Sequence, residues 1–312
     1  MSVLSPLPDG APIGPDVAPS ADRQARRDAL FQETLAETLQ RVVLGAAWSL
    51  QPKRIDRLVP LAKLSIAHIF QPSDKLPDLA ETPDAGELVG IADDLSAATL
   101  EEAYERGLFP HAHFGPTKWL SPPERCVLFF EDFHISKRLR SFMRQGDYTV
   151  TFDRDFEGVI KACAGKREGR WHLTWITPRI MRAFTALRDA GVAHSFEVWN
   201  RDGELVGGGY GVAIGRVFFT ESQFSHEDNT SKLGFSVLNW HLAHWGYVLN
   251  DGKWATPTIL DMGFRMIPRS EFLHILGKDA GEGGMPERWT VEADPKVVAD
   301  WHPGQSGAER AA

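Results

Sequence analysis

The 312-residue chain has only two cysteines, no long apolar run and no excess of positive charge. Cys126 and Cys163 lie far apart, without the Cys-x-x-Cys or Cys/His spacing of a metal site, so we expect two buried, reduced thiols. No stretch approaches the roughly 18 to 20 apolar residues of a membrane helix. The first residues also lack a basic region followed by an apolar stretch. The sequence therefore predicts no membrane association and a cytoplasmic location.

The net charge of -8 argues against broad, sequence-independent binding of nucleic acid. Such binding depends on neutralising many phosphates and usually shows in the total charge. A protein that grips only the last nucleotides of an RNA escapes this objection. With 43% apolar and 24% charged residues, the composition is that of an ordinary globular protein. The length suits one large domain or two modest ones.

Composition and periodicity divide the chain into five segments. Residues 1–21 hold five prolines among small and acidic residues, which predicts a disordered leader. Residues 22–75 show helical spacing of apolar residues and predict a helical extension, with helices over 26–50 and 58–69. Residues 76–124 are expected to form a small N-terminal domain, and 125–276 the main domain. Residues 277–312, rich in Gly, Asp and Pro, are expected to be a loose tail.

Local patterns predict alternating helices and strands from residue 95 onward. Ser96 caps a helix that ends at Gly107, and a long aromatic loop then runs from Phe109 to Pro123. The remaining predicted elements are strands over 126–130, 148–152, 194–199, 204–213, 216–220 and from 247, and helices over 136–145, 156–163, 178–189 and 231–245. Three successive strands form an antiparallel meander that is followed by a helix and a last strand. This order predicts an α+β fold.

Short motifs follow one another in a fixed order along this region. The central blocks are residues 174–176, 194–199, 205–212, 218–225 and 229–232, with further blocks at 94–96, 104–110, 119–122, 134–136 and 267–269. In order and spacing they resemble the leucyl/phenylalanyl-tRNA protein transferase family, over about residues 91–276. Members of that family move an amino acid from an aminoacyl-tRNA onto the N-terminus of a protein.

The resemblance implies an acetyltransferase-like (GNAT-like) α+β fold, with a mostly antiparallel sheet flanked by helices. It also implies a modification of the N-degron type, with aminoacyl-tRNA as co-substrate and no metal or organic cofactor. The expected partners are the 3′ end of the aminoacyl-tRNA and an acceptor protein that begins with Lys or Arg. We expect the protein to act as a monomer.

The expected reaction is attack by an α-amine on the ester that joins an amino acid to tRNA. Such an amine has a pKa of roughly 7.7 to 8.0, so a mild base suffices. The family's Gly-Glu-Ser block reads Thr220-Glu221-Ser222 here, which predicts that Glu221 binds an amino group and that Ser222 contacts substrate. A carboxylate among phenylalanines is costly unless it is paired. The alternative role for Glu221 is a structural acid at a sheet end.

The family's Asp-x-Gln pattern reads Asp251-Gly252-Lys253 in this chain. Residues two apart on a strand point the same way, so we expect Asp251 and Lys253 to share the reaction centre. The resemblance assigns Asp251 to positioning or handling a proton. Lys253 is expected to stabilise an oxyanion, or to act as a base if burial lowers its pKa. The alternative is that this lysine marks a changed donor or lost activity.

Aromatic residues supply the predicted contacts with the donor. Trp175 matches a family tryptophan that stacks on the terminal adenosine, and His111 stands where the family has a second tryptophan. Phe218, Phe224 and Met181 are candidates for a pocket that receives a Leu or Phe side chain, with ordinary core packing as the alternative for each.

A basic helix with neighbouring charges predicts a contact with the tRNA acceptor stem, with a solvated face as the alternative. Its residues are Lys137, Arg138, Arg140 and Arg144, and the neighbouring charges are Lys166, Arg167 and Arg170.

Other reactive-looking residues are assigned less active roles. His194 and Ser195 are neighbours on a strand and face opposite sides, which argues against a Ser/His nucleophile. His241 and His244 lack a third metal ligand.

Two rival functions remain open. Residues 188–193 match the letters of a pyrophosphate-binding turn of acyl-CoA transferases, but they leave a helix and enter a strand, which is the inverse of the required context. A binding module that recognises N-termini or aminoacyl-tRNA without transfer is the second alternative.

Overall fold

The computed structural model describes residues 21–49, 55–81, 86–111, 115–166, 173–281 and 289–303. Most of the predicted leader lies outside these ranges. The helices are α1 (Ala21–Leu30), α2 (Leu35–Ser49), α3 (Ile55–Phe70), α4 (Ala97–Glu105), α5 (Lys137–Gln145), α6 (Phe156–Ala164), α7 (Pro178–Asp189), α8 (Thr230–His244), α9 (Pro257–Asp261), α10 (Arg269–Asp279) and α11 (Pro295–Val298). The strands are β1 (Leu88–Ile91), β2 (Phe109–His111), β3 (Lys118–Leu120), β4 (Glu124–Leu128), β5 (Thr149–Phe152), β6 (Ala193–Trp199), β7 (Leu205–Ile214), β8 (Val217–Ser225), β9 (Leu249–Asp251) and β10 (Arg265–Pro268). Within the described ranges, no helix is long and apolar enough to cross a membrane.

The main sheet has seven strands in the order β10-β4-β9-β8-β7-β6-β5. Its neighbouring strands are antiparallel except for β8 and β9, which are parallel. Parallel neighbours need a long crossover, and α8 provides it. The predicted α+β class is confirmed.

Helices cover both faces of this sheet, because its strands carry apolar side chains on both faces. Along β8, Phe218 packs into one core with α8, whereas its neighbour Phe219 packs into the other core with α6 and α7. Successive strand residues point to opposite faces, so a continuous apolar run here serves two cores. The sheet is therefore the middle layer of the main domain.

The predicted boundaries of α5 and α7 agree closely with the structure because local capping sets them. The Ser136 side chain accepts a hydrogen bond from the Leu139 amide at the start of α5. Thr177 caps α7 in the same way, with Pro178 at its first position and Gly191 at φ +78° beyond its end.

Two strands, β2 and β3, stand where a loop over 109–123 was predicted, and with β1 they form a second sheet in the order β1-β3-β2. The prediction was wrong because β2 and β3 have only three residues each, too few to show an alternating pattern. β2 contains Pro110 and lies at the edge of the sheet, where a missing N–H is tolerated. Trp119 of β3 is fully buried and its indole donates to Ala92 O, so its role is structural.

The helix predicted over 26–50 is two helices, α1 and α2. Thr34 and Glu37 explain the break, because the Glu37 amide donates to Thr34 Oγ1 and the Thr34 amide donates to Glu37 Oε2. This reciprocal pair is a capping box, which starts a new helix. Arg27 docks α1 on the main domain through Glu157 and Asp189, at 2.9 and 2.6 Å.

The described part of the predicted loose tail is ordered against the main domain. Trp289 is buried and stacks on His194 with ring centroids 3.9 Å apart, and Val298 is fully buried. Composition alone does not reveal such distant partners.

One strand was not predicted. β10 follows the last predicted strand along the chain, and it pairs with β4.

Candidate active site

The parallel pair β8 and β9 separates at one point, and a cavity lies there. The strands pair from Val217 and Leu249 to Phe219 and Asp251, where β9 ends while β8 continues to Ser225. The second half of β8 therefore has no β9 partner. A cavity of about 610 Å³ is lined on this side by residues 220–223 and Gly252. This volume suits a small-molecule or nucleotide-sized ligand.

Glu221 enters this cavity from a β-bulge. In the β7/β8 register Tyr210 faces Ser222 and Gly211 faces Thr220, which leaves Glu221 as the extra residue. A bulge bends the strand and re-aims a side chain. Glu221 lines the cavity, but only 1% of its side chain is exposed, so the carboxylate is buried beside the cavity. Local strand alternation does not predict its direction.

Lys253 is the cation that pairs with Glu221. Lys253 Nζ lies 2.5 Å from Glu221 Oε1 and also donates to Thr220 O at 2.9 Å. Burial lowers the pKa of Lys253, and the neighbouring Glu221 and Asp251 charges oppose this by raising it. The Tyr104 hydroxyl donates to the same Glu221 oxygen. The prediction grouped Lys253 with Asp251, whereas the ammonium is paired with Glu221 in the structure.

The strand repeat expected for Asp251 and Lys253 was wrong, because β9 ends at Asp251 and Lys253 has left the strand. Lys253 adopts a left-handed backbone, with φ +63°, and its amide donates to Asp251 Oδ1 at 2.9 Å. A turn, and not the two-residue strand repeat, brings the ammonium back to β8. A non-glycine residue in this region is uncommon and is often found at functional sites.

Asp251 lies behind the cavity, fully buried in an ion pair with Arg125. Arg125 Nη1 also donates to Gly107 O at 2.8 Å. Sequence reasoning missed Arg125, which sits within the buried strand β4. The only available signal was its charge, since a buried arginine requires an acidic partner. Glu221, Asp251, Lys253 and Arg125 together carry no net charge.

An aromatic group borders the same cavity. His111 and Trp175 stack with centroids 5.7 Å apart and planes 18° apart. Trp254 also lines the cavity, meets His111 edge-on at 6.0 Å and is 38% exposed. His111 and Trp175 were each predicted to contact the substrate, whereas Trp254 was missed because it stands outside every recognised motif.

Most of the residues predicted to contact the donor side chain do not line the cavity. Ser222 lines the cavity, but Phe218, Phe224 and Met181 are buried in the cores and do not line it. They face the helix layers, where Phe218 contacts Trp289 and the other two join the core shared with α6 and α7. Apolar residues that do line the cavity are Ile176, Phe235, Ile259 and Phe264.

The basic helix α5 is only partly available for binding. Arg140 is buried and donates to Ile135 O and Ala299 O, so its predicted tRNA contact is replaced by a structural role. Arg144 pairs with Asp300. Lys137 and Arg138 are exposed, and Arg138 and Lys232 line a second cavity of about 320 Å³.

The two cavities are lined by neighbouring residues of α8, since Ser231 lines the first cavity and Lys232 lines the second. Lys166 is exposed, and Arg167 and Arg170 lie outside the described residues.

The histidines and Ser195 make structural hydrogen bonds. Ser195 Oγ donates to Glu197 at 2.5 Å, and His194 Nδ1 pairs with Asp153 at 2.8 Å, so they do not form a nucleophile pair. His241 Nε2 accepts from the Glu292 amide at 2.7 Å. His244 Nδ1 bonds Trp240 O. Among the described residues, no cluster of three or more His, Cys, Asp or Glu side chains has the arrangement of a metal site.

Comparison with known proteins identifies the family of this chain. A model of the leucyl/phenylalanyl-tRNA protein transferase family matches residues 127–277. A leucyl/phenylalanyl-tRNA protein transferase of Azotobacter vinelandii is 49% identical over 59% of this chain and 81% of its own length. Those of Pseudomonas syringae pv. syringae and Hahella chejuensis are 48% and 43% identical, over 61% and 70% of this chain and 83% and 92% of their own lengths. The solved structure of FemX overlaps 50% of this chain and 64% of its own, with a TM-score of 0.36 and 10% identity, too little to support an argument. By its relatives and the matching family model, the chain belongs to the leucyl/phenylalanyl-tRNA protein transferase family.

Proposed function

We propose that this protein transfers Leu or Phe from an aminoacyl-tRNA to the N-terminal α-amine of an acceptor protein, with Lys or Arg preferred as the acceptor's first residue. The proposal is supported by the named relatives, which this chain matches over most of their length. The observation that supports a site is the buried Glu221–Lys253 pair beside a cavity that Glu221 and Trp175 line.

The reaction exchanges one acyl bond for another. The neutral α-amine attacks the ester carbonyl carbon, a C–N bond forms and the C–O bond to the tRNA ribose breaks. The amine nitrogen loses one proton and the departing ribose oxygen gains one. Because the ester is already activated, the protein's main tasks are to align the two substrates and to stabilise the negative carbonyl oxygen.

Lys253 is assigned to the carbonyl oxygen. An ammonium has three N–H donors, and Thr220 O and Glu221 Oε1 take two of them. We assign the third to the developing oxyanion. Glu221 Oε1 accepts from Lys253 and Tyr104, so Oε2 is assigned to a substrate amino group. Asp251 is a positioning residue because it holds the Lys253 amide and Arg125.

The remaining cavity wall fits the rest of the donor. Ile176, Phe235 and Phe264 offer an apolar surface for a Leu or Phe side chain, and Ser222 and Gln223 offer polar groups. The exposed Lys137 and Arg138, together with Lys232, are assigned to tRNA phosphates.

The finer architecture and setting follow from this function. We assign the main domain to the acetyltransferase-like architecture, supported by its mostly antiparallel sheet with helices on both faces. Action as a monomer in the cytoplasm, where aminoacyl-tRNA is made, is part of the same proposal.

One assay tests the proposal against its rivals. Purified protein is incubated with labelled Leu-, Phe- and other aminoacyl-tRNAs and a peptide that begins with Lys or Arg. An N-acetylated copy of the peptide and acetyl-CoA as donor are the controls. Label from tRNA on the free peptide alone is the expected result. Binding without transfer would favour a binding module, and transfer only from acetyl-CoA would favour an acyl-CoA enzyme.

A further inference from the structure

Glu87 and Trp254 form an acid–indole pair beside the cavity. Trp254 Nε1 donates to Glu87 Oε1 at 2.6 Å, although the two residues are 167 positions apart. Trp254 lines the cavity and is 38% exposed, and Glu87 is half-buried. Glu87 lies just before β1, where its carbonyl accepts from the Ser121 amide at 2.9 Å. The pair therefore connects the small sheet with the turn after β9.

The Trp254 ring is held at its edges. Phe109 meets it at 5.0 Å with planes 90° apart, and His111 meets it at 6.0 Å with planes 76° apart. Among the described residues, no ring stacks on the indole and no Lys or Arg lies over its face. The face of an indole is the aromatic surface that attracts cations most strongly.

The charges around the cavity also favour a cation at this pair. Among the described residues that line the cavity, Glu221 is the only acid, and its charge is met by Lys253. A second cation in the cavity therefore needs another acid. Glu87 supplies one next to an aromatic face, and a carboxylate has two oxygens with about four acceptor sites, of which Trp254 uses one.

The distance from the Glu221–Lys253 pair fits one long side chain. Lys253 Nζ lies 5.1 Å from the centre of the Phe109 ring, which lies 5.0 Å from the Trp254 ring. The ammonium and the indole are therefore no more than about 10 Å apart. An extended lysine or arginine side chain spans roughly 6 to 7 Å from Cα to its charged group.

We propose that Trp254 and Glu87 bind the side-chain cation of the acceptor's first residue, through the indole face and the carboxylate. The inference rests on the proposed function, which places the acceptor's α-amine at the Glu221–Lys253 pair. A guanidinium stacks on aromatic rings and bonds a carboxylate with two N–H groups, so arginine is bound at least as well as lysine. Glu87 and Trp254 are thus specificity-determining residues.

The test compares acceptor peptides that differ only in their first residue. Norleucine keeps the carbon chain of lysine without the ammonium, and citrulline replaces arginine in the same way. The measured quantity is the ratio of kcat/KM for the charged peptide to kcat/KM for its neutral match, with leucyl- and phenylalanyl-tRNA as donors. A purely structural defect lowers both values together and leaves this ratio unchanged.

Trp254→Leu is expected to reduce the ratio by about 2- to 30-fold, the range for loss of one cation–π contact. Glu87→Gln keeps an acceptor for the indole and is expected to reduce the ratio by about 2- to 5-fold. Glu292→Gln is the matched control. Glu292 also accepts from an indole, that of Trp245 at 2.9 Å, and neither residue lines the cavity.

Transfer without preference for the charged peptide in the parent would overturn the inference and leave the transfer reaction standing. A ratio unchanged in Trp254→Leu or in Glu87→Gln, or lowered equally in Glu292→Gln, would also overturn it. Calorimetry of the same peptides on the full-length protein gives a readout without tRNA. Tighter binding of the lysine peptide that is lost in Glu87→Gln, in a protein that transfers nothing, would uphold this cation site and refute the proposed function.

Discussion

At the scale of single residues, the main departure from the family pattern is Lys253 in place of a neutral amide. The extra cation pairs with Glu221, and both side chains are almost fully buried, with 4% and 1% exposed. A buried pair is well tolerated only while both partners remain, because either one alone is an uncompensated charge. Lys253 is therefore expected to affect both stability and catalysis.

Replacing Lys253 by Met should reveal both effects. Loss of an oxyanion donor is expected to lower kcat by about 100-fold. The unpaired Glu221 is expected to lower the free energy of unfolding by about 3 to 5 kcal/mol. Single-turnover transfer and urea denaturation measure the two quantities.

Adding Glu221→Gln to Lys253→Met separates the two effects, since it removes the unpaired charge. Stability should largely return while kcat stays low. Lys253→Gln is the matched control because it restores the amide of the family pattern. Parent-like kcat in Lys253→Met would show that the ammonium has no part in the chemistry.

Glu197 is a second buried acid, away from the cavity lining. Burial raises its pKa to about 7, while the Ser195 and Thr151 hydroxyls that donate to it oppose this rise. The folded protein therefore binds more protons here than the unfolded chain between pH of about 4.5 and 7. The stabilising contribution of Glu197 is complete below about pH 4.5 and is lost as the pH rises through about 7.

Glu197→Gln should remove this pH dependence. Relative to the variant, the parent is expected to lose roughly 1 to 3 kcal/mol of unfolding free energy as the pH rises through this window. Urea denaturation from pH 4.5 to 8 measures the difference. The exposed Glu131→Gln serves as control. Parallel stability curves for parent and Glu197→Gln would contradict the raised pKa.

At the scale of elements, α1 is bonded to one end of α6 and one end of α7. The opposite ends of these two helices border the cavity. Arg27 bridges Glu157 in the first turn of α6 and Asp189 at the end of α7. Cys163 near the end of α6 and Trp175 just before α7 both line the cavity. The N-terminal extension is thus expected to stabilise the cavity wall from its far side.

Arg27→Met is expected to lower the free energy of unfolding by about 3 kcal/mol, because two partly buried acids lose their cation. Arg26→Met is the matched control. Its pair with Asp155 is more exposed, with 51% of the arginine side chain accessible, so its loss should cost under about 1 kcal/mol. Hydrogen exchange of residues 21–31 should accelerate in Arg27→Met alone. Equal effects of the two variants would contradict this role.

At the scale of the whole molecule, an acidic protein must still attract an RNA. The net charge of -8 argues against a broad basic surface, so we expect the attraction to be local. Lys137 and Arg138 are exposed, and Lys232 joins Arg138 at the second cavity. Arg140 is bonded within the fold, and Arg144 is in a surface pair with Asp300. Few phosphate contacts are therefore expected.

The salt dependence of transfer should be moderate. Three contacted phosphates give a slope of about -2 to -3 for log(kcat/KM) against log[salt]. Lys137→Gln or Arg138→Gln should each reduce the slope by about 0.7 to 0.9. Arg144→Gln is the control because that guanidinium pairs with Asp300. If kcat/KM of the parent did not change with salt, α5 would have no contact with the tRNA phosphates.

The sequence by itself determined the α+β class, the family and most elements with local signals. The limits of α5 and α7 follow from Ser136, Thr177, Pro178 and Gly191, because caps act within one turn of the chain. The ordered motifs identify the family without any knowledge of packing. Both kinds of information lie in short stretches of sequence.

Only the tertiary structure decided which side chains meet at the cavity. Glu221 lies beside the cavity at a bulge, and a left-handed turn brings the Lys253 ammonium to Glu221. Arg125 and Trp254 join them from distant or unrecognised positions, while Phe218 faces the core. These placements depend on strand register and on contacts between residues more than a hundred positions apart. Local patterns carry no record of such contacts.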